Sequence, residues 1–332
     1  MRFFTFFLSG LLLGAVVWMS VIYTLIGTPG DSSIGLHETF SIKKDILTET
    51  PSPRIIFVGG SGVLMGVGAD IINELVGVPT VNFGIWAGFD LVYQMHNIKE
   101  FLRDGDVVVF SFEYTNYDYP TRMSEGTRQY VMQRDESYFL EQPVMEQLNQ
   151  IFTLGPEGFY KILAAALVPN VEVERAYPIE KINEFGDQTV NRVDKPDALK
   201  QRIIKNRGPD NFSHKVDNMD RGLTALADQI EVLRDKKEVK FLATYPNTIY
   251  FKEYEDGHLN QFEDKFEDFF EKKDIPVLGA ARDFMYPKKY FYDTAYHLNN
   301  LGVEKRSKAL AELLLKDGDI QKMRKYWKNR SS

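Results

Sequence analysis

The sequence predicts an α/β protein, a doubly wound parallel sheet carried behind an N-terminal transmembrane helix. Three observations predict it. Short apolar runs such as Val107-Val108-Val109-Phe110 have the composition of strands buried on both faces. Those runs alternate with segments whose apolar residues recur at helical spacing, and right-handed crossovers then make a parallel sheet the economical arrangement. Finally, Ile55-Ile56-Phe57-Val58 breaks into Gly59-Gly60-Ser61-Gly62, a glycine turn that presents a hydroxyl at the carboxyl edge of a sheet, where open α/β folds place their ligands.

Residues 3–26 contain no charge. As a helix rising about 1.5 Å per residue, these 24 residues span a hydrocarbon core of roughly 30 Å with some tilt. A cleavable signal has a shorter apolar core and a small-x-small site, of which Ile26-Gly27-Thr28-Pro29-Gly30 is a poor example, so residues 1–27 read as an uncleaved anchor, with a cleaved signal as the lesser option. Arg2 lies on one side, Asp31 and Glu38 on the other, and no Lys or Arg follows until Lys43. That asymmetry predicts a single-pass protein of the cell membrane with its bulk on the extracytoplasmic side.

Residues 28–53 are rich in Gly, Ser, Thr and Pro and read as a linker, of which 34–46 could pack on the domain that follows. Strands are expected at 54–58, 80–83 and 107–110, with helices at 69–76 and 89–102; Leu91, Met95, Ile98 and Leu102 make the stripe of the second helix. The alternation then fails over about residues 119–215, which contain helix-like pieces at 144–152 and 156–167 and a polar stretch. That length without strands predicts an insertion after the third strand. Alternation resumes with a helix at 219–233, a strand at 240–244, a helix striped by Phe262, Phe266, Phe269 and Phe270, and a fifth strand at 275–278. The acidic residues around that phenylalanine stripe read as a hydrated helix face, not as a metal site. Asn299 or Asn300 caps a last core helix with Val303, Leu310 and Leu314 inward. The basic tail after it, residues 316–330, reads as a solvated helix.

Composition excludes several functions. A net charge of −7 argues against a nucleic-acid partner, which needs a concentrated basic surface. The chain has no cysteine, so disulfides, thiolate metal sites and cysteine nucleophiles are excluded. No metal and no cofactor is expected.

The serine turn has a counterpart far downstream, where Tyr292-Asp293-Thr294-Ala295-Tyr296-His297 supplies an acid and an imidazole ahead of the capped helix. In this order the blocks resemble the SGNH (GDSL-type) hydrolase and O-acyltransferase superfamily. Val81-Asn82-Phe83-Gly84 resembles its second block. The third, normally Gly-x-Asn-Asp, is replaced by Glu113-Tyr114-Thr115-Asn116-Tyr117-Asp118, and Asp293 stands four residues before His297 where the family spaces its acid three before. The resemblance implies a flavodoxin-like strand order 2-1-3-4-5 within residues 54–332. It also implies Ser61, His297 and Asp293 as catalytic residues, and an oxyanion hole from the amides of Ser61 or Gly62 and of Gly84 with the Asn116 side chain.

A serine hydroxyl needs a base to take its proton as it attacks, and His297 suits that role by its place before a helix at the sheet edge. His37 falls in the linker, His214 in the insertion, His258 in an acidic loop and His96 on a helix, all surface readings. Gly60-Ser61-Gly62-Val63-Leu64-Met65-Gly66 also invites comparison with a nucleotide loop, but lacks the Lys-Ser/Thr ending of a P-loop and the dinucleotide spacing. The resemblance implies an acyltransferase or acylesterase of cell-surface polysaccharide, with O-acetyl transfer beside a membrane-bound O-acyltransferase partner; whether water or a sugar hydroxyl reaches the acyl-enzyme would depend on the insertion if it forms a lid. The alternative is a non-catalytic anchored protein of the same fold that binds glycan or assembles a complex.

Overall fold

The computed structural model describes residues 2–30, 33–118, 123–167, 177–235 and 238–330. Its helices in chain order are α1 (Arg2–Leu25), α2 (Ile34–Glu49), α3 (Ser61–Leu64), α4 (Ala69–Val76), α5 (Leu91–Ile98), α6 (Glu125–Arg134), α7 (Glu136–Glu141), α8 (Val144–Thr153), α9 (Gly155–Leu167), α10 (Ala198–Asn206), α11 (Phe212–Arg234), α12 (His258–Lys272), α13 (Asn300–Leu314) and α14 (Gly318–Arg330). The strands are β1 (Ile55–Gly59), β2 (Thr80–Gly84), β3 (Val107–Phe110), β4 (Lys240–Thr244), β5 (Thr248–Ile249), β6 (Val277–Leu278) and β7 (Met285–Tyr286). Two compact units result: Met1–His37 with Met123–Ala176, and Glu38–Arg122 with Tyr177–Ser332.

The second unit holds a five-stranded sheet in the order β2-β1-β3-β4-β6, every pair parallel. β1 and β3 are buried along their whole length, as their uninterrupted apolar runs require. All five carboxyl ends therefore share one edge. The expected uninterrupted succession of strands is corrected at one point: β5 leaves the sheet and pairs in parallel with β7 in a separate two-stranded ribbon, so the fifth strand of the sheet is the sixth in the chain. Two residues are too short a run to leave a periodic signal. At the other edge Arg54 and Asp106 form a fully buried ion pair of 3.2 Å that ties the starts of β1 and β3. Among the helices, α12 turns Phe262, Phe266 and Phe270 inward, where Phe262 meets Tyr114 edge-on and Phe266 packs on Tyr245.

Residues 34–49, expected within a linker, form α2. Phe40, Lys43 and Leu47 recur at helical spacing and are buried; Phe40 packs against Phe83, Phe89 and Tyr93. Lys43 gives its ammonium hydrogens to the Asn82 carbonyl (2.8 Å), Asn82 Oδ1 (3.3 Å) and the Gly186 carbonyl (2.7 Å). Burial pulls its pKa down to about 7, against the opposing pull of Asp187. A lysine at the inward position disguised this helix as a polar segment.

The first unit joins α1 to α6, α7, α8 and α9. The stretch 4–25 of α1 is long and apolar enough to cross a membrane. Trp18 lies 4.2 Å from Phe159 between ring centres, Tyr23 meets Phe139 edge-on, and the Tyr23 hydroxyl donates to Gln147 Oε1 at 2.7 Å. Of the residues expected in the insertion, 123–167 fall in the unit of α1 and 177–215 in the unit of the sheet.

Candidate active site

The serine turn is built by close approach. A Cβ on Gly59 would stand 2.4 Å from the Ser111 carbonyl, one on Gly60 2.5 Å from Ala87 Cα, and one on Gly84 2.2 Å from the Leu64 nitrogen. Glycine at these positions lets β1, β2 and the 85–90 loop close around the turn. Glu113 fixes it from beneath: Oε2 accepts from Gly60 N–H at 3.1 Å and Oε1 from Gly62 N–H at 2.6 Å. Burial raises the pKa of this carboxyl, and the two amides and a charged His297 pull it the other way. Between these flanking amides Ser61 is half-buried, and among the described residues neither its hydroxyl nor its backbone N–H has a hydrogen-bond partner.

The histidine loop is built by a reversal. Tyr292 N–H donates to the His297 carbonyl at 2.8 Å and Phe291 bridges antiparallel to Leu298, so the chain doubles back and residues 293 and 297 meet at the mouth of one turn. His297 Nδ1 lies 2.7 Å from Asp293 Oδ1. A carboxylate on Nδ1 assigns the ring hydrogen there and leaves Nε2 as the basic nitrogen. The four-residue spacing therefore delivers an acid–imidazole contact as good as hydrogen-bond geometry allows. Tyr177 completes the group: its hydroxyl donates to Asp293 Oδ2 at 2.9 Å and lies 3.2 Å from His297 Nδ1. Burial, then the Asp293 charge, pushes this phenol well above its ordinary value, so it remains a donor at physiological pH.

Three buried side chains join the turn to the loop. Asn191 Nδ2 donates to the carbonyls of Met65 (2.7 Å) and Leu298 (2.6 Å). Asn247 Nδ2 donates to the Tyr296 carbonyl at 2.7 Å, while its Oδ1 accepts from Arg306. Arg306 in turn donates to the Gly62 carbonyl at 3.1 Å and to Ser111 Oγ at 2.7 Å. The backbone beside Ser61 and the backbone beside His297 are thus held by shared hydrogen bonds.

The expected oxyanion donors need correction. Gly62 N–H is engaged by Glu113, and Gly84 N–H donates to Asn82 Oδ1 at 2.9 Å. Asn116 gives both amide hydrogens away, to the carbonyls of Ala87 and Phe89, each at 3.1 Å, and its oxygen accepts from Glu113 N–H. It caps the loop instead of facing a substrate. Of the four donors considered, the Ser61 amide alone is uncommitted.

The remaining histidines lie elsewhere. His37 Nδ1 is 3.3 Å from the Tyr130 hydroxyl, His214 is 3.3 Å from Asp118, His258 opens α12, and His96 stacks on Tyr93.

Glu113, Tyr177, Asn191, Asn247 and Arg306 carry the geometry and no motif marks them. Arg306 left one signal, a charge three positions after Val303 on the inward face of α13.

No family model, curated protein or solved structure matches this chain.

Proposed function

We propose that the protein is an SGNH-like serine enzyme, anchored in the cell membrane with its sheet domain outside the cytoplasm, that moves or removes an acyl group on a cell-surface polysaccharide. On this reading the sheet is flavodoxin-like with an insertion after β3, and Ser61, His297 and Asp293 act as nucleophile, base and orienting acid. The observation that carries it is the 2.7 Å Asp293–His297 contact, in a loop cross-linked by hydrogen bonds to a turn whose serine hydroxyl has no hydrogen-bond partner among the described residues.

In the first half-reaction Ser61 Oγ bonds to the acyl carbonyl carbon while its proton passes to His297 Nε2. The Ser61 amide is the donor available to the developing oxyanion. Collapse breaks the bond to the leaving oxygen, which takes the proton from Nε2. Water or a sugar hydroxyl then repeats the sequence on the acyl-enzyme, giving hydrolysis or transfer. Acetyl is the simplest cargo, and a membrane-bound O-acyltransferase is the proposed source.

A second reading has one observation in its favour. Three of the expected oxyanion donors are committed to the protein itself, as suits a shell that binds glycan or assembles a complex without turnover.

Fluorophosphonate labelling and release of p-nitrophenol from p-nitrophenyl acetate separate the two. The enzyme reading expects both activities in the native chain, and Ser61→Ala should abolish them with an unchanged melting temperature. Labelling that persists in Ser61→Ala removes this serine from the chemistry, and its absence from the native chain favours the binding shell.

A further inference from the structure

Two of the helices grouped with α1 bury Ile151 and Ile162 yet leave a second set of large apolar residues in the open. On α8, Val144, Met145 and Phe152 lie at helical spacing and are 60% to 76% exposed, while Gln147 and Gln150 on the opposite face are buried at 6% and 2%. α9 buries Ile162 and leaves Tyr160 and Leu167 exposed at 69% and 71% on the face that also carries Leu163 and Ala164. A helix in water turns its apolar stripe inward. Helices that bury Ile151 and Ile162 on one side, with two glutamines, and still present Val, Met, Phe, Tyr and Leu on the other suit a surface whose solvent is not water.

The placement of these helices names that solvent. α9 lies along α1 through the Phe159–Trp18 contact, and α8 reaches it through Gln147 and Tyr23. At about 1.5 Å per residue, Trp18 and Tyr23 fall about 10 Å and 3 Å from the carboxyl end of α1. That is the depth at which interfacial helices bury their apolar faces and at which Trp and Tyr gather. The charges fit the same level, since Glu157 and Lys161 form a 3.0 Å pair at the start of α9 and the exposed apolar faces carry no basic cluster.

We propose that α8 and α9 are seated in the outer leaflet beside the anchor, their exposed faces in contact with lipid at the headgroup–acyl boundary. The partner is the bilayer itself, recognised by apolar contact and not by anionic headgroups. This inference rests on α1 crossing the membrane and not on the serine chemistry.

The absence of cysteine allows a direct test on the full chain. Single variants Met145→Cys, Phe152→Cys and Tyr160→Cys are labelled with an environment-sensitive fluorophore and reconstituted in phosphatidylcholine vesicles. Leu13→Cys in α1 serves as the lipid reference and Asp268→Cys on the acidic face of α12 as the aqueous one. The labels on α8 and α9 should show blue-shifted emission, quenching by nitroxide lipids and loss of iodide quenching, resembling Leu13→Cys. Iodide quenching equal to that of Asp268→Cys, with Leu13→Cys still lipid-quenched, overturns the inference and points to a protein partner for this face. An aqueous Leu13→Cys label overturns the anchor, and the inference with it.

Discussion

The serine turn and the histidine loop are fixed by opposite means. Around Ser61 a buried carboxylate holds the backbone amides on either side, glycines allow neighbouring chain to close in, and the serine hydroxyl has no hydrogen-bond partner among the described residues. Around His297 the imidazole is itself gripped, by Asp293 and Tyr177, while the adjoining backbone is pinned by asparagines from other segments. One end is a rigid frame with a free hydroxyl; the other is an oriented ring. A nucleophile gains from freedom to meet its substrate, whereas a base needs a fixed tautomer.

Asp293→Ala tests the second half of that contrast and should have the largest effect. Loss of the carboxylate frees the imidazole to adopt either tautomer, so esterase turnover should fall about 10²–10⁴-fold, close to the loss in His297→Ala. Because the pair is mostly buried, with side chains 6% and 14% exposed, the melting temperature should fall as well, by less than in Glu113→Ala. A large fall in stability with little loss of rate would assign Asp293 to the fold and break the comparison.

Glu113→Ala tests the first half and should exchange the two readouts. It leaves two buried amides without an acceptor, at about 1–3 kcal/mol each, partly offset by removing a buried carboxylate. Thermal unfolding should therefore show a clear loss, with a smaller fall in rate, about tenfold, as Ser61 loses its frame. The pH dependence follows from sign: burial raises the folded-state pKa, so the folded chain holds this proton more tightly than the unfolded one. The group's contribution to stability is then fully present below the unfolded pKa and lost as pH rises through the folded value. Glu113→Gln should flatten that limb of a stability–pH curve, and an unchanged limb would show that the carboxyl is not shifted.

The parts of this arrangement that carry a local pattern are legible in the sequence. Val107–Phe110 is apolar on every position and became β3; the serine and the Asp293–His297 couple stand beside glycines and a helix cap that mark them. What braces them is not legible, because it depends on contacts between remote segments. Glu113 reads as an ordinary acid until the fold brings Gly60 and Gly62 onto it, and Asn116 reads as an oxyanion donor until its amide is seen to close on Ala87 and Phe89. The outward apolar faces of α8 and α9 are visible as periodicity, but the sequence does not say which face is inside.

Tyr177 sharpens the comparison most finely, because it acts on the histidine loop without touching the serine turn. Its hydroxyl donates to the Asp293 oxygen not used by the imidazole, drawing negative charge away from the contact with Nδ1. Tyr177→Phe removes that donor and keeps the ring, so the packing against His297 should survive, with the ring centres 5.8 Å apart. A hydrogen bond to a charged group contributes about 1.5–3 kcal/mol, and part of it persists through the Asp293–His297 contact, so a loss of kcat of about tenfold or less is expected with KM unchanged. An unchanged melting temperature distinguishes this from loosened packing. A fall in stability that matches the loss of kcat would make Tyr177 a packing residue, and an unchanged kcat would mean that its hydroxyl does not orient Asp293.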